Sequence, residues 1–267
     1  MIDPFTVLAE DDGLPRWHVP AELATLYGGA IGLEEPCVVA NFVESLDGVV
    51  AVPGLPRSHA VLGDESEADR FVLALLRACA DAVLVGSGTL VSSPKGMWGI
   101  DRAYPPAADA LAELRARRGR PEQPLVAVVT AGGSFDPAHP VLDAGALVLT
   151  TEEAAPRLRN AVPTATEVVA VNDGRAVDLA AAVGVLRDRG RAVILSEGGP
   201  SLFGELLAAR LVDELFLTVS PLLAGRATAA RLGLVEGVEL APHTRVAGRL
   251  RSVRTHGSHL FLRYGLR

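Results

Sequence analysis

The amino-acid sequence predicts an α/β protein: a mixed, mainly parallel sheet flanked by helices, with antiparallel strands at its C-terminal end. Three observations predict it. From Cys37 onward, short and almost wholly apolar runs alternate with stretches of helical period, the pattern of strands covered by helices on both faces. Glycine, proline or asparagine marks most of the junctions. The last quarter is β-rich with little room for helices, which suits antiparallel strands added to one edge.

Residues 1–36 carry Pro4, Pro15, Pro20 and Pro36 together with Gly28, Gly29 and Gly32. They read as an irregular N-terminal arm, ahead of a single domain over residues 37–267. CVVANFV (37–43) is a β-rich run closed by Ser45-Leu46-Asp47-Gly48, and Asp-Gly is a strong turn dipeptide. Ser66 is placed to cap a helix running to about Ala80, in which Ala68, Phe71, Val72, Leu75, Leu76 and Cys79 form one buried stripe. Apolar strands follow at 81–86, 124–130, 146–150, 167–171 and 192–196, with helices near 105–118, 151–161 and 176–189. The RARRGR cluster (115–120) reads as a helix end with cations near its C-terminal dipole and a stop at Gly119. The closing strands are LFLTVSP (215–221), TRVAGRLRSV (244–253) and SHLFLRYG (258–265).

Composition narrows the function. In 267 residues, 49% hydrophobic and 21% charged, there is ample material for a core and no signature of a disordered chain. A net charge of −7 and 4% aromatics supply neither the basic field nor the stacking platforms of a general nucleic-acid binder. No apolar run approaches the length of a membrane helix, and the opening MIDPFTVLAEDDG has acids where a signal peptide has lysines. A cytoplasmic protein is expected. Cys37 and Cys79 lie far apart in apolar stretches and read as buried reduced thiols. His256 and His259 read as an exposed turn rather than a metal site.

In a parallel α/β sheet, ligands gather beyond the carboxyl ends of the strands. Four segments supply glycine and hydroxyl residues there: 45–48, 86–89, 130–134 and 197–202. Gly86-Ser87-Gly88-Thr89 follows the strand DAVLV, but Val91 stands where a dinucleotide fingerprint needs its third glycine, and Lys95 lacks the flanks of a P-loop. Glu197-Gly198-Gly199-Pro200-Ser201-Leu202 opens a helix with free N–H groups suited to a diphosphate. Ser201 as a simple helix cap is the alternative. Phe203 excludes a nucleophile elbow at Ser201.

Taken in order, these segments resemble the reductase domain of the bacterial bifunctional riboflavin-biosynthesis deaminase/reductase, whose fold is similar to dihydrofolate reductase. The residues carrying the resemblance are Ser45-Leu46-Asp47-Gly48, Leu76-Arg77-Ala78, Asp81 to Gly86 with Gly88 and Thr89, Thr130, Ser196 to Leu202, and Leu211 to Leu215 leading to Pro221 and Gly225. The resemblance spans about 37–265. It implies NADPH as cofactor, with Gly86, Gly88, Thr89 and Ser93 near it, Thr130 near its adenosine side and Val43 beside the nicotinamide. It sets Gly198, Gly199, Pro200, Ser201 and Leu202 against the diphosphate and ribose. Glu197 and Arg77 are implied substrate contacts, with Ser58 a further one. Glu197 and Asp47 are the candidate catalytic groups, Asp47 also as a turn-forming organiser.

Two departures stand out. The family's paired aspartates before a proline, and its downstream arginine, are replaced by Val91-Ser92-Ser93-Pro94-Lys95-Gly96-Met97; Arg102 and Lys95 are the cations nearest in sequence. The zinc signatures of the deaminase half are absent, which implies a free-standing reductase. The function implied is NADPH-dependent reduction of the ribosyl group of 5-amino-6-(5-phosphoribosylamino)uracil to ribityl. Reduction of dihydrofolate or another pterin or pyrimidine, and NADP(H) binding without turnover, are the alternatives. A homodimer is implied, with LFLTVSP and SHLFLRYG leaving an apolar edge that needs cover.

Overall fold

The computed structural model describes residues 1–55, 57–226 and 230–266. Its centre is a ten-stranded sheet. In chain order the strands are β1 (Thr6–Glu10), β2 (Cys37–Glu44), β3 (Ala82–Gly86), β4 (Leu125–Val129), β5 (Leu147–Thr151), β6 (Glu167–Asn172), β7 (Val193–Ser196), β8 (Glu214–Val219), β9 (Gly248–His256) and β10 (His259–Leu266). They lie side by side as β1-β9-β10-β8-β2-β7-β3-β4-β5-β6. All neighbours from β8 to β6 pair in parallel, while β8–β10, β10–β9 and β9–β1 are antiparallel. The chain steps outward from β3 to β6 and then returns to insert β7 between β2 and β3. A crevice opens at that switch in direction.

Strand alternation divides the core into two layers. Val83, Val85, Val128, Val148 and Leu195 point to one face, which is covered by α1 (Ala21–Tyr27), α3 (Glu67–Cys79), α6 (Ala108–Arg117) and α8 (Ala155–Ala161). Leu84, Ala127, Leu149 and Ile194 point to the other, under α9 (Leu179–Asp188) and α10 (Pro200–Ala208). Ser66 caps α3 as its sequence predicts, its hydroxyl accepting from Asp69 N at 3.2 Å. Both cysteines are buried and free, and burial pushes each thiol up to about 12. Short helices α2 (Ser58–Leu62), α4 (Ser87–Ser92), α5 (Ile100–Ala103) and α7 (Pro140–Asp143) sit in the connections.

The N-terminal arm departs from expectation. It is not irregular: β1 forms the sheet edge against β9, and α1 buries Leu23, Leu26 and Tyr27. Phe5 meets Phe261 edge-on at 4.6 Å between ring centres and lies 5.9 Å from Phe71. Prolines and glycines hide this in the sequence because a strand of five residues and a helix of seven are too short to show a period.

The arginine cluster also does more than end a helix. Gly119 does take the left-handed conformation after α6, at φ 63°. Arg115, however, is 1% exposed and donates to the carbonyls of Arg77, Ala78 and Ala80, closing the C-terminus of α3 instead of its own helix. Arg118 and Arg120 lie over the Trp17 ring at 4.1 and 5.2 Å, tying the arm to the domain.

The expected open edge at LFLTVSP and SHLFLRYG is absent, since β8 lies between β2 and β10, and β10 between β8 and β9. Residues 244–247 stay outside β9. His256 and His259 flank the turn rather than forming it. His259 is buried and its Nε2–H donates to Gly63 O at 3.1 Å, while His256 packs beside Phe5.

Because Phe5 is anchored in the aromatic cluster, Phe5→Ala is expected to cost about 3 kcal/mol of unfolding free energy, read from urea denaturation. A loss within about 0.5 kcal/mol, the range of surface changes, contradicts a structural arm.

Candidate functional site

At the carboxyl end of β7 lies a cleft of about 590 Å³. Its walls are the ends of β2 (Asn41, Phe42, Val43), the face of α3 carrying Asp69, Leu73 and Arg77, the loop 92–98, and the Glu197–Pro200 segment. A second lobe of about 530 Å³ shares Arg57, His59, Asp69, Leu73, Arg77 and Met97 with it.

Arg77 and Glu197 are joined to each other. Arg77 Nε and Nη2 donate to Glu197 Oε1 and Oε2 at 2.7 and 2.6 Å, a two-pronged contact between side chains only 9% and 10% exposed. Arg77 Nη1 also donates to Gly99 O at 3.3 Å. One guanidinium thus fixes α3, the end of β7 and the loop before α5. The acid that precedes the glycines is thereby matched to a cation, which explains its presence beside a segment suited to anions.

Val43, Ser58, Thr89, Ser93, Gly198, Gly199 and Pro200 line the same cleft. Gly86 is the residue before α4, and Gly88 lies within that helix. A Cβ built on Gly88 or Gly199 meets no atom within 4 Å, so both glycines face open space. A Cβ on Gly198 meets Leu202 Cδ2 at 2.5 Å, and one on Gly86 meets the same atom at 3.9 Å. Leu202 therefore needs a bare backbone at 198. Gly199, not Ser201, is the N-cap of α10; Pro200 is at N1, and no side chain caps the helix. The first-turn N–H groups of α10 consequently have no side-chain acceptor.

Six predicted residues, Asp47, Gly86, Gly88, Thr130, Ser201 and Leu202, are not part of the cleft lining. Asp47 accepts from Ser45 Oγ at 2.6 Å, Ala224 N at 2.9 Å and Gly225 N at 2.8 Å, donors that lower its pKa to about 2. It fastens the turn after β2 to the segment after β8 and holds no proton near neutral pH. Thr130 is buried, and its hydroxyl accepts from Gly133 N at 2.8 Å, closing the loop after β4.

The structure adds Asn41, His59 and Asp69 to the cleft. Asn41 Oδ1 and the nearby Ser196 Oγ are buried with no hydrogen-bond partner among the described residues. Burial and the neighbouring Arg57 push the His59 pKa below the usual imidazole value, against a raising field from Glu197. Asp69, Leu73 and Arg77 stand four residues apart, so a four-residue repeat was the available signal for this face of α3. Among the described residues, no group of three or more His, Cys, Asp or Glu is placed to hold a metal ion, and no helix is long and apolar enough to cross a membrane.

Residues 36–261 match the model of the family described as the RibD C-terminal domain. The chain belongs to that family. It is 29% identical over 232 residues to the 2,5-diamino-6-ribosylamino-4(3H)-pyrimidinone 5′-phosphate reductase of Methanothermobacter thermautotrophicus, covering 86% of this chain and 97% of that protein. The reductase of the same name from Archaeoglobus fulgidus is 28% identical over 192 residues, 71% of this chain and 82% of that protein. A pyrimidine reductase-like protein from Corynebacterium diphtheriae has the same fold, with a TM-score of 0.68 at 22% identity, covering 87% of this chain and 92% of that one.

Since Glu197 and Arg77 are nearly dry, Glu197→Ala is expected to destabilise the protein by about 3 kcal/mol, by leaving a buried guanidinium without its partner. Arg77→Met with Glu197→Ala should cost less than the two changes summed, with a coupling of about 2 kcal/mol in urea unfolding. Additive losses contradict the pairing.

Proposed function

We propose that the protein is an NADPH-dependent reductase that converts the ribosylamino group of a pyrimidine 5′-phosphate to its ribityl form, as a step of riboflavin biosynthesis. The observation that carries this is the crevice beside β7, where open glycines and the Arg77–Glu197 pair share one cleft in a member of the RibD C-terminal domain family.

The residues fit the cofactor. Gly88 and Gly199 leave room for a ligand to approach the backbone, and the unfilled N–H groups at the start of α10 suit a diphosphate. Gly86, Gly88, Thr89 and Ser93 hold one side of the nucleotide, and Gly198, Gly199, Pro200, Ser201 and Leu202 the other. Val43 stands against the nicotinamide. Thr130 acts on the adenosine side through the turn that it closes. Bound NADPH supplies a hydride from its nicotinamide ring.

On the substrate side, Glu197 keeps acceptor capacity for ring N–H groups while Arg77 holds it in place, and Ser58 lines the facing wall. Lys95 lines the cleft and Arg102 the adjoining lobe, so both offer charge to the 5′-phosphate. Asp47 organises the neighbouring turn. The uracil substrate follows from the sequence resemblance, and the two archaeal relatives carry the name of the 2,5-diamino compound; the two differ in the ring's C2 substituent. The protein acts in the cytoplasm as a homodimer, with β1 and its exposed Val7 and Leu8 as the free antiparallel edge.

Purified protein is expected to oxidise NADPH with one or both of these pyrimidines and to release the ribityl product, identified by mass spectrometry. The ratio of kcat/KM ranks the two. No oxidation with either, or a preference for dihydrofolate, contradicts the proposal. Gly199→Val is expected to raise the Kd for NADPH about tenfold or more with only a small fall in Tm, because the added side chain fills ligand space and weakens the N-cap of α10. An unchanged Kd removes Gly199 from the cofactor site.

A further inference from the structure

A reduction that adds hydride to carbon also needs a proton for the atom that gains the electron pair. We propose that Asp69 is the proton donor of this reaction, delivering its carboxyl proton to the nitrogen attached to C1′ of the substrate. The inference rests on the reaction proposed above and names the residue that completes it.

Position carries it first. Asp69 stands in the first turn of α3, one and two four-residue steps before Leu73 and Arg77, and all three line the cleft. It also lines the adjoining lobe, so it stands where the two spaces meet. The Thr218 hydroxyl of β8 favours the charged form of the Asp69 carboxyl, which sets the two side chains close together. Thr218 is in register with Val43 of β2, a cleft residue placed here against the nicotinamide. A Cβ on Gly63 meets Val43 Cγ2 at 3.3 Å, and Gly63 O accepts the His259 Nε2 proton. Asp69, Thr218 and Val43 therefore belong to one packed wall.

Chemistry selects Asp69 over its neighbours. Both oxygens of Glu197 accept from Arg77, and Asp47 lies off the cleft lining with a carboxylate held by three donors. His59 is biased toward its neutral form by burial and Arg57. Asp69 is biased the other way. Burial raises its pKa to about 6 against the Thr218 hydroxyl, His259 of β10 and Arg70 of its own helix, which all favour the carboxylate. Anionic ligands in the cleft push it further in the same direction.

The step balances with the reactants already named. In the ring-opened substrate, the hydride forms a new C–H bond at C1′, the π pair of C1′=N passes to nitrogen, and that nitrogen takes the proton from Asp69. The nicotinamide is oxidised, the imine is reduced to an amine, and the carboxylate regains a proton from water.

Asp69→Asn is expected to lower kcat about 100-fold, within the range of general-acid contributions, leave the Kd for NADPH unchanged, and abolish the fall of kcat with rising pH. Thr218→Val removes a hydroxyl that favours the carboxylate and is expected to move that falling limb to higher pH. Apart from turnover, the Asp69 carboxyl carbon, followed by 13C NMR in the ligand-free protein, is expected to titrate near 6 in the wild type and higher in Thr218→Val. A wild type that turns over the substrate with an Asp69→Asn variant of equal kcat, or of reduced kcat with the same pH limb, overturns the proposal and leaves the reductase reading intact. A limb that disappears in His59→Gln instead also overturns it. A wild type inactive with both pyrimidines removes the reaction itself, and the role with it.

Discussion

The contact between Arg77 and Glu197 is the constraint on which the site depends. Two charges withdrawn from water at the carboxyl end of a central strand are tolerated only when their hydrogen-bonding capacity is met. Here the fork of the guanidinium meets both carboxylate oxygens and the third nitrogen reaches Gly99 O. The consequence is geometric: α3 cannot slide along the sheet without breaking the pair. The glycine segment after β7 and the cleft-facing residues of α3 are held at a fixed separation. A preorganised floor of this kind lowers the reorganisation needed when ligands bind.

The same device recurs at three further arginines. Arg263 meets Glu214 at 2.6 and 2.8 Å and Gly32 O at 2.9 Å, joining the arm to two strands. Arg254 donates to Tyr27 O and pairs with Glu10, and Arg120 pairs with Asp81, which itself accepts from Val193 N. Each arginine pairs with a carboxylate, and Arg263 and Arg254 also satisfy the backbone carbonyls of Gly32 and Tyr27. The fold is thus an apolar sandwich of helices and a mainly parallel sheet, tied together at its margins by buried charged pairs.

Much of this was legible in the sequence, and the failures have physical causes. Strands buried on both faces announce themselves as apolar runs, which makes β2 to β5 and β7 readable, and the edge strand β6 keeps the apolar run VVAV although it is only partly buried. The thirteen-residue α3 shows its stripe and its serine cap. Position in the sheet is a different matter: nothing in the run AVILS says that β7 inserts between β2 and β3, and that insertion makes the crevice. The sequence assigns Arg115 with its neighbours to the end of its own helix, because charge in sequence does not reveal which member turns inward to meet the carbonyls of another helix. His259 looked exposed beside Gly257, yet strand alternation turns it into the core. Of the candidate site, the glycine segments were visible through their turns. Asp69 was hidden because its position on α3 lies outside the apolar stripe that draws attention to that helix. The pairing of Arg77 with Glu197, 120 residues apart, belongs to tertiary structure alone.

The crevice at β7 is proposed to bring a reduced nicotinamide and a ribosylamino carbon into contact. Turnover with NADPH deuterated at the nicotinamide C4 tests this most directly, with each C4 stereoisomer tried in turn. One isomer is expected to yield product carrying a single deuterium at C1′ of the ribityl chain, and the other none. Label that fails to reach C1′ from either isomer, or that appears in a different compound, contradicts it.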